Sequence, residues 1–189
     1  SDSHVYAFNL KSHEKTSRGY LTSSTSSLTT GSLALGTAQQ YAILKSSRGY
    51  YIYSLKASKF LTPTGQTLSA TPKGAFSFSQ AKTLNRWLVF SPLNDKYLQQ
   101  DAAKAPAIKE LTEQDAGNQW LIEAVADFPA EQLKAAREAI AEYEASQPEG
   151  VDATSLTLSS SLLDMMIGES TPLTATLAPT GAAANEVLW

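Results

Sequence analysis

The sequence predicts an all-β architecture with a threefold internal repeat, followed by one helix and part of a further β unit. Three observations carry this reading. A tripeptide ending aromatic-Leu recurs at Gly19-Tyr20-Leu21, Lys59-Phe60-Leu61 and Lys96-Tyr97-Leu98, its aromatic residues 40 and then 37 positions apart. Residues 4–125 consist of short aromatic and β-branched runs broken by Ser, Thr, Gly and Pro. Residues 127–147 are Ala- and Glu-rich and almost free of β-branched residues, and Thr/Leu alternation returns after 150.

The repeat extends beyond its tripeptide. Ahead of each copy lies an alternating strand: Val5-Tyr6-Ala7-Phe8, Tyr50-Tyr51-Ile52-Tyr53 and Trp87-Leu88-Val89-Phe90. A Leu follows each copy, at Leu33, Leu68 and Leu111, and then an aromatic-x-apolar unit: Tyr41-Ala42-Ile43, Phe76-Ser77-Phe78 and Trp120-Leu121-Ile122. Side chains alternate between faces along a strand, so Tyr51 and Tyr53 share the face assigned to the core and Tyr50 points the other way. The chain starts near Val5, so the first unit is expected to lack an opening strand, which 119–125 supplies by pairing beside the N-terminal strands. Three strands, then four, four and one, make twelve. Twelve strands in three such units describe a β-trefoil over 4–126: a six-stranded barrel closed by three hairpins.

The third unit resembles the ricin-type lectin pattern, in which an x-Leu-Asp strand is followed by a Gln-x-Trp strand. The residues that carry the likeness are Lys96-Tyr97-Leu98-Gln99-Gln100-Asp101, Ile108-Lys109-Glu110-Leu111 and Asn118-Gln119-Trp120-Leu121-Ile122. The resemblance implies a carbohydrate-binding module. It also implies an Asp after the repeated Leu, where this chain has Thr22, Thr62 and Gln99, and a Gln where it has Gln39, Gly74 and Asn118. The third unit alone combines the turn Asn94-Asp95, Asp101 and the strand containing Asn118. Carboxylates and amides accept and donate in fixed geometry, which suits ring hydroxyls, so Asn94, Asp95, Asp101 and Asn118 are the candidate sugar-binding residues.

Residues 127–149 read as a linker or packing helix. Asp127 suits the N-cap, Pro129 the first turn and Glu131 the positive end of the dipole. Leu133, Ala136, Ile140 and Tyr143 form one apolar stripe, and Gln147-Pro148-Glu149-Gly150 stops the helix. Residues 150–189 are similar to the start of a bacterial immunoglobulin-like (group 2) domain: Ile167-Gly168-Glu169, then Leu173-Thr174-Ala175-Thr176, then Pro179 and Trp189. A sandwich of that kind needs roughly seven strands, so the chain is expected to be a fragment of a longer protein.

Composition narrows the function. The 189 residues carry 15 Lys+Arg against 18 Asp+Glu, a net charge of −3, with no basic stripe for a nucleic-acid backbone. No apolar run reaches the roughly 18 residues of a membrane span. With no Cys there is no thiol nucleophile, disulfide framework or thiolate metal site. His4 and His13 lack the spacing of a metal pair, and His13 reads as a solvated loop residue. Asp95, Asp101, Glu110, Glu113 and Asp115 alternate with lysines and read as a solvated edge rather than a catalytic pair. No glycine-rich phosphate loop is present. The expectation is a non-enzymatic module without cofactor or metal. Its partners would be a glycan and the neighbouring domains of a secreted, periplasmic or cell-surface bacterial protein, with a glycosidase appendage as the expected setting. The alternative is a structural or protein-interaction spacer that binds no sugar.

Overall fold

The computed structural model describes residues 4–11, 17–32, 35–100, 105–147, 155–158 and 175–178. They fall in two compact units, Ser1–Ser146 and Gln147–Trp189.

In the first unit six strands close a barrel: β1 (His4–Lys11), β4 (Gln40–Ser46), β5 (Gly49–Ser54), β8 (Ser77–Gln80), β9 (Trp87–Ser91) and β12 (Trp120–Asp127). The pairings run β1–β4, β4–β5, β8–β9, β9–β12 and β12–β1, all antiparallel. The ring closes between β5 and β8 through Tyr50 and Phe76, which exchange N–H···O bonds of 2.9 and 2.7 Å. Gly49 makes that approach possible: its φ is +126°, and a Cβ there would lie 2.8 Å from the Phe76 carbonyl oxygen. Three hairpins cap one end. They are β2 (Ser17–Ser23) with β3 (Leu28–Ser32), β6 (Lys59–Leu61) with β7 (Leu68–Ser69), and β10 (Lys96–Gln99) with β11 (Ala107–Lys109). This is a β-trefoil of four strands per unit. β1 itself opens the first unit, so that unit lacks no strand, and β12, which pairs beside it as expected, is the fourth strand of the third.

The register repeats with the sequence. Tyr20 faces Asn9, Phe60 faces Tyr53 and Tyr97 faces Phe90, the same step in each unit. Five barrel strands each send one residue into a central layer, and Phe76, just ahead of β8, supplies the sixth: Phe8, Tyr41, Ile52, Phe76, Val89 and Trp120 are all at most 1% exposed. Leu21, Leu61 and Leu98 form the next layer towards the hairpins and are equally buried. The Leu expected after each tripeptide holds for Leu68. In the other units Leu28 and Ile108 join this core instead: Leu111 is only half-buried, and Leu33 lies outside the described residues. A hairpin's inward positions follow its ladder register, not a fixed distance from the tripeptide.

α1 (Ala130–Ala145) starts after Pro129, and Asp127 is not its cap: it ends β12, opposite His4. The expected stripe is the buried one. Ala136 and Ile140, with Leu133, Ala139 and Tyr143 beside them, pack with Phe128 on Val5, Ala42, Leu44, Tyr51, Tyr53 and Phe60. The helix therefore belongs to the first unit. It also explains the tyrosines: Tyr51 and Tyr53 are buried under α1 on the outside of the barrel, while Tyr50 and Ile52 face its interior. The far end of α1 is pinned by Glu144, which accepts hydrogen bonds from Tyr51 Oη (2.9 Å), Ser47 Oγ (3.3 Å) and Ser46 Oγ.

In the second unit β13 (Ser155–Leu158) and β14 (Ala175–Ala178) pair antiparallel, Ser155 opposite Ala178. The remaining immunoglobulin-like landmarks, Gly168-Glu169, Pro179 and Trp189 among them, lie outside the described residues.

Two predictions follow from this packing. Trp120 fills the central layer and donates from Nε1 to the Leu98 carbonyl at 2.9 Å. Trp120→Phe should cost about 1–3 kcal/mol through the lost bond, and Trp120→Ala about 3–5 kcal/mol, read as shifts of a urea midpoint. An unchanged midpoint would show that the barrel does not depend on this side chain. Burial pushes the phenols of Tyr41 and Tyr51 up from their ordinary value, and the Glu144 carboxylate raises Tyr51 further. The folded state thus holds these protons more tightly than the unfolded chain. Their contribution is full below about pH 10 and is lost as pH rises above it. Tyr51→Phe should flatten the alkaline limb of the stability profile; an identical limb in the variant contradicts the assignment.

Candidate functional site

The three units are equivalent in backbone but not in what their hairpin rims leave open. Neighbouring hairpins are stitched by main-chain bonds: Leu28 N to Gln66 O, Leu68 N to Ser26 O and Ile108 N to Thr64 O, at 2.9–3.2 Å. Between the first and second hairpins the repeated Lys59 donates its ammonium to the Thr25 carbonyl at 2.8 Å. Between the second and third, the equivalent Lys96 instead lines an open cleft of about 330 Å3. Pro63, Thr64 and Gln66 of the second unit and Asn94, Ala107 and Ile108 of the third complete the lining. The first unit has Gly19 at the lysine position.

Local chemistry fixes the walls. Thr62, Thr64 and Thr67 share a hydroxyl network at 2.7–3.3 Å. Asn94 donates from Nδ2 to the Pro63 carbonyl at 2.9 Å and to Ser91 Oγ at 3.3 Å, tying the two units together. Gly65 turns the wall at φ +73°, and a Cβ there would meet Leu98 Cδ1 at 2.9 Å and Ile108 at 3.0 Å. The result is a shallow groove with an aliphatic side from Pro63 and Ile108 and a polar side of hydroxyl, amide and ammonium groups.

Of the four residues proposed from sequence, the structure brings Asn94 to this cleft. Asp95 sits beside it, exposed, at φ +52° in the β9–β10 turn, a backbone region that Asp tolerates. Asp101 lies outside the described residues. Asn118 is 1% exposed and spent on its own loop: Nδ2 donates to the Glu113 carbonyl at 2.8 Å, and Oδ1 accepts from Asp115 N at 3.1 Å. Gln39 does the same in the first unit, accepting from Gly36 N at 2.9 Å. The positions where the family resemblance implies an Asp are also committed internally. Thr22 donates to the Tyr20 carbonyl, Thr62 joins the hydroxyl network, and Gln99 donates to the carbonyls of Lys109 and Glu110. Sequence reasoning missed Lys96, Thr64 and Gln66. The Lys repeated at 59 and 96 was the available signal; the half of the cleft from unit two was not, since it depends on which hairpins touch.

Among the described residues no group of three His, Cys, Asp or Glu side chains is placed to hold a metal, and no helix is long and apolar enough to cross a membrane. No protein-family model matches the chain, and no curated protein matches it. Among solved structures it is similar to Cry35Ab1, at 12% identity and a TM-score of 0.54 over 68% of this chain and 38% of that one. It is also similar to a Polyporus squamosus lectin bound to the epitope Neu5Aca2-6Galb1-4GlcNAc, at 11% identity and a TM-score of 0.49 over 66% of this chain and 50% of that one. The chain thus spans half or less of the length of either. The likeness to Cry35Ab1 is one of fold.

Gly65 offers a direct check on how the cleft is built. Gly65→Ala forces a left-handed backbone on Ala and drives a methyl into Leu98 and Ile108. It should destabilise the protein by about 1–3 kcal/mol. A variant as stable as the parent would mean that the second hairpin turn does not pack on the third.

Proposed function

We propose that the trefoil is a non-catalytic carbohydrate-binding module whose glycan lies in the cleft between the second and third hairpins. One observation carries this reading: Lys59 and Lys96 occupy the same repeat position, yet only Lys59 is spent on a carbonyl, while Lys96 faces an open groove beside Asn94, Thr64 and Gln66. A pyranose needs an apolar surface for its C–H face and fixed donors and acceptors for its hydroxyls. Pro63 and Ile108 offer the first, and the amide, hydroxyl and ammonium groups the second. The lectin-like fold supports the same reading by analogy of architecture. A trefoil followed by a helix and a further β unit also suits an appendage of a larger secreted or surface protein, a glycosidase included.

A shallow groove of this size should bind weakly, with Kd of about 1 mM, and a multidomain parent would gain strength through multivalency. Titration of the full chain with galactose, N-acetylglucosamine and glucuronate, followed by amide chemical shifts, tests it. Lys96→Ala and Asn94→Ala should each weaken the bound sugar by about 2- to 12-fold, and Lys59→Ala should leave it unchanged. No shift with any sugar and no retention on a glycan array would favour the spacer reading instead.

A further inference from the structure

The hairpins cap one end of the barrel; the other end is a cup. One layer outward from the buried central layer, Tyr6, Ile43, Tyr50, Phe78, Trp87 and Ile122 line a concavity of about 380 Å3, with Lys45 also in its lining. Every barrel strand contributes a residue. Tyr6, Tyr50 and Trp87 hold the same repeat position in the three units, each two residues before its central-layer residue. Ile43, Phe78 and Ile122 hold the alternate positions, two residues after theirs. The cup is therefore a threefold ring of aromatic side chains on the barrel axis. Its floor is the central layer, at most 1% exposed, so the cup does not continue as a tunnel.

Several features mark this end as more than the edge of a core. Trp87 remains 39% exposed, and Leu84, on the β8–β9 loop that rises at the same end, is 73% exposed. These are two of the four large apolar side chains exposed among the described residues. Tyr50 and Phe78 meet edge to face, with ring centroids 5.3 Å apart at 90°. Lys45 follows Ile43 on the same face of β4 and is the one charged residue in the lining; its ammonium has no partner among the described residues.

We propose that this barrel mouth binds a small carboxylate with a flat aromatic or alicyclic body, the ring seated among Tyr6, Tyr50, Phe78 and Trp87 and the carboxylate on Lys45. Aromatic edges and faces complement a flat apolar ring. One ammonium at the rim balances one negative charge. A pyranose is a poorer fit, because walls of Phe, Ile and Trp leave most of its hydroxyls without partners. An extended acyl chain is excluded by the closed floor. This site is separate from the hairpin cleft in position and chemistry, so the two proposals stand or fall apart.

The experiment uses the full chain labelled for indole and backbone N–H signals, titrated with 2-naphthoate and, in parallel, with the neutral 2-naphthalenemethanol. Naphthoate should saturate with Kd of about 1 mM or tighter. It should move the Trp87 indole and the amides of 43–50 and 78–87, leaving the Asn94 side-chain amide in place. Lys45→Met, a rim change that leaves the core untouched, should weaken naphthoate by about three- to tenfold while sparing the alcohol. Ile43→Trp should fill the cup and abolish both, with an unshifted Trp120 indole confirming the fold. The proposal is overturned by the absence of saturable shifts at Trp87, by shifts that map outside the mouth, or by equal affinity for acid and alcohol in the parent.

Discussion

The fold depends on filling one layer. Six strands can close a barrel only if the side chains they send inward occupy the axis without voids or overlap. Here the six are chosen in compensating pairs. The first unit contributes Phe8 and Tyr41, the second Ile52 and Phe76, the third Val89 and Trp120. The largest side chain shares a unit with the smallest, so each third of the barrel receives a similar volume. Phe8 packs edge-on against both Tyr41 and Trp120, at centroid distances of 5.7 and 6.3 Å, so the first unit's ring touches its neighbours on either side. Trp120 also reaches from the layer into the cap through Leu98. Barrel and hairpins are thus coupled by one indole. Closure at Gly49 and Phe76, the register of the hairpins and the seat for α1 all presuppose that this layer is full.

Above and below that layer the threefold pattern is kept in backbone and relaxed in side chains. A symmetric repeat makes three copies of every surface feature, and the chain differentiates them by spending polar groups unequally. Lys59 closes its rim and Lys96 does not. Thr22, Thr62 and Gln99 stand at one repeat position, and all three turn inward to bonds within the fold. Gln39 and Asn118 hold the loops ahead of β4 and β12 in the same way. A buried amide left without partners is costly, so these side chains are structural by necessity wherever burial is complete. Where the second hairpin meets the third, Lys96 is left facing an open cleft, while Asn94 and Thr64 beside it also hold the cleft walls together.

This explains what was legible in the sequence. Phase was legible: the aromatic-Leu tripeptides and aromatic-x-apolar units mark inward positions, and a period-two strand cannot hide which face it buries. The stripe of α1 was legible for the same reason at its own period. The site was legible only in part. Asn94 lines the cleft, and its place was readable because an Asn-Asp pair marks a turn. Asn118 was singled out by its polarity, but polarity does not tell a ligand-facing amide from one that caps a loop; only its 1% exposure does. Pro63, Thr64 and Gln66 lie about thirty residues from Asn94 in sequence, and no local signal joins them. Tyr51 and Tyr53 illustrate the same limit: their shared face was clear, but which of two cores it served depended on where α1 lands.

The barrel's two ends then follow from one asymmetry of the trefoil. Strands enter and leave the barrel at the hairpin end through β2, β3, β6, β7, β10 and β11, whose apolar residues seal it. At the other end no such element returns over the axis among the described residues, so the last layer must serve as its own surface. A soluble barrel could end there in small or polar side chains. This one ends in two tyrosines, a phenylalanine, a tryptophan and two isoleucines, with a single lysine among them. Large rings at all three equivalent positions cannot interlock on a threefold axis as small side chains would, and they splay into a cup instead. Apolar surface kept open costs hydrophobic free energy that burial would recover, roughly 25 cal/mol per Å2. The chain carries that cost at the one end of the barrel where a ligand could relieve it.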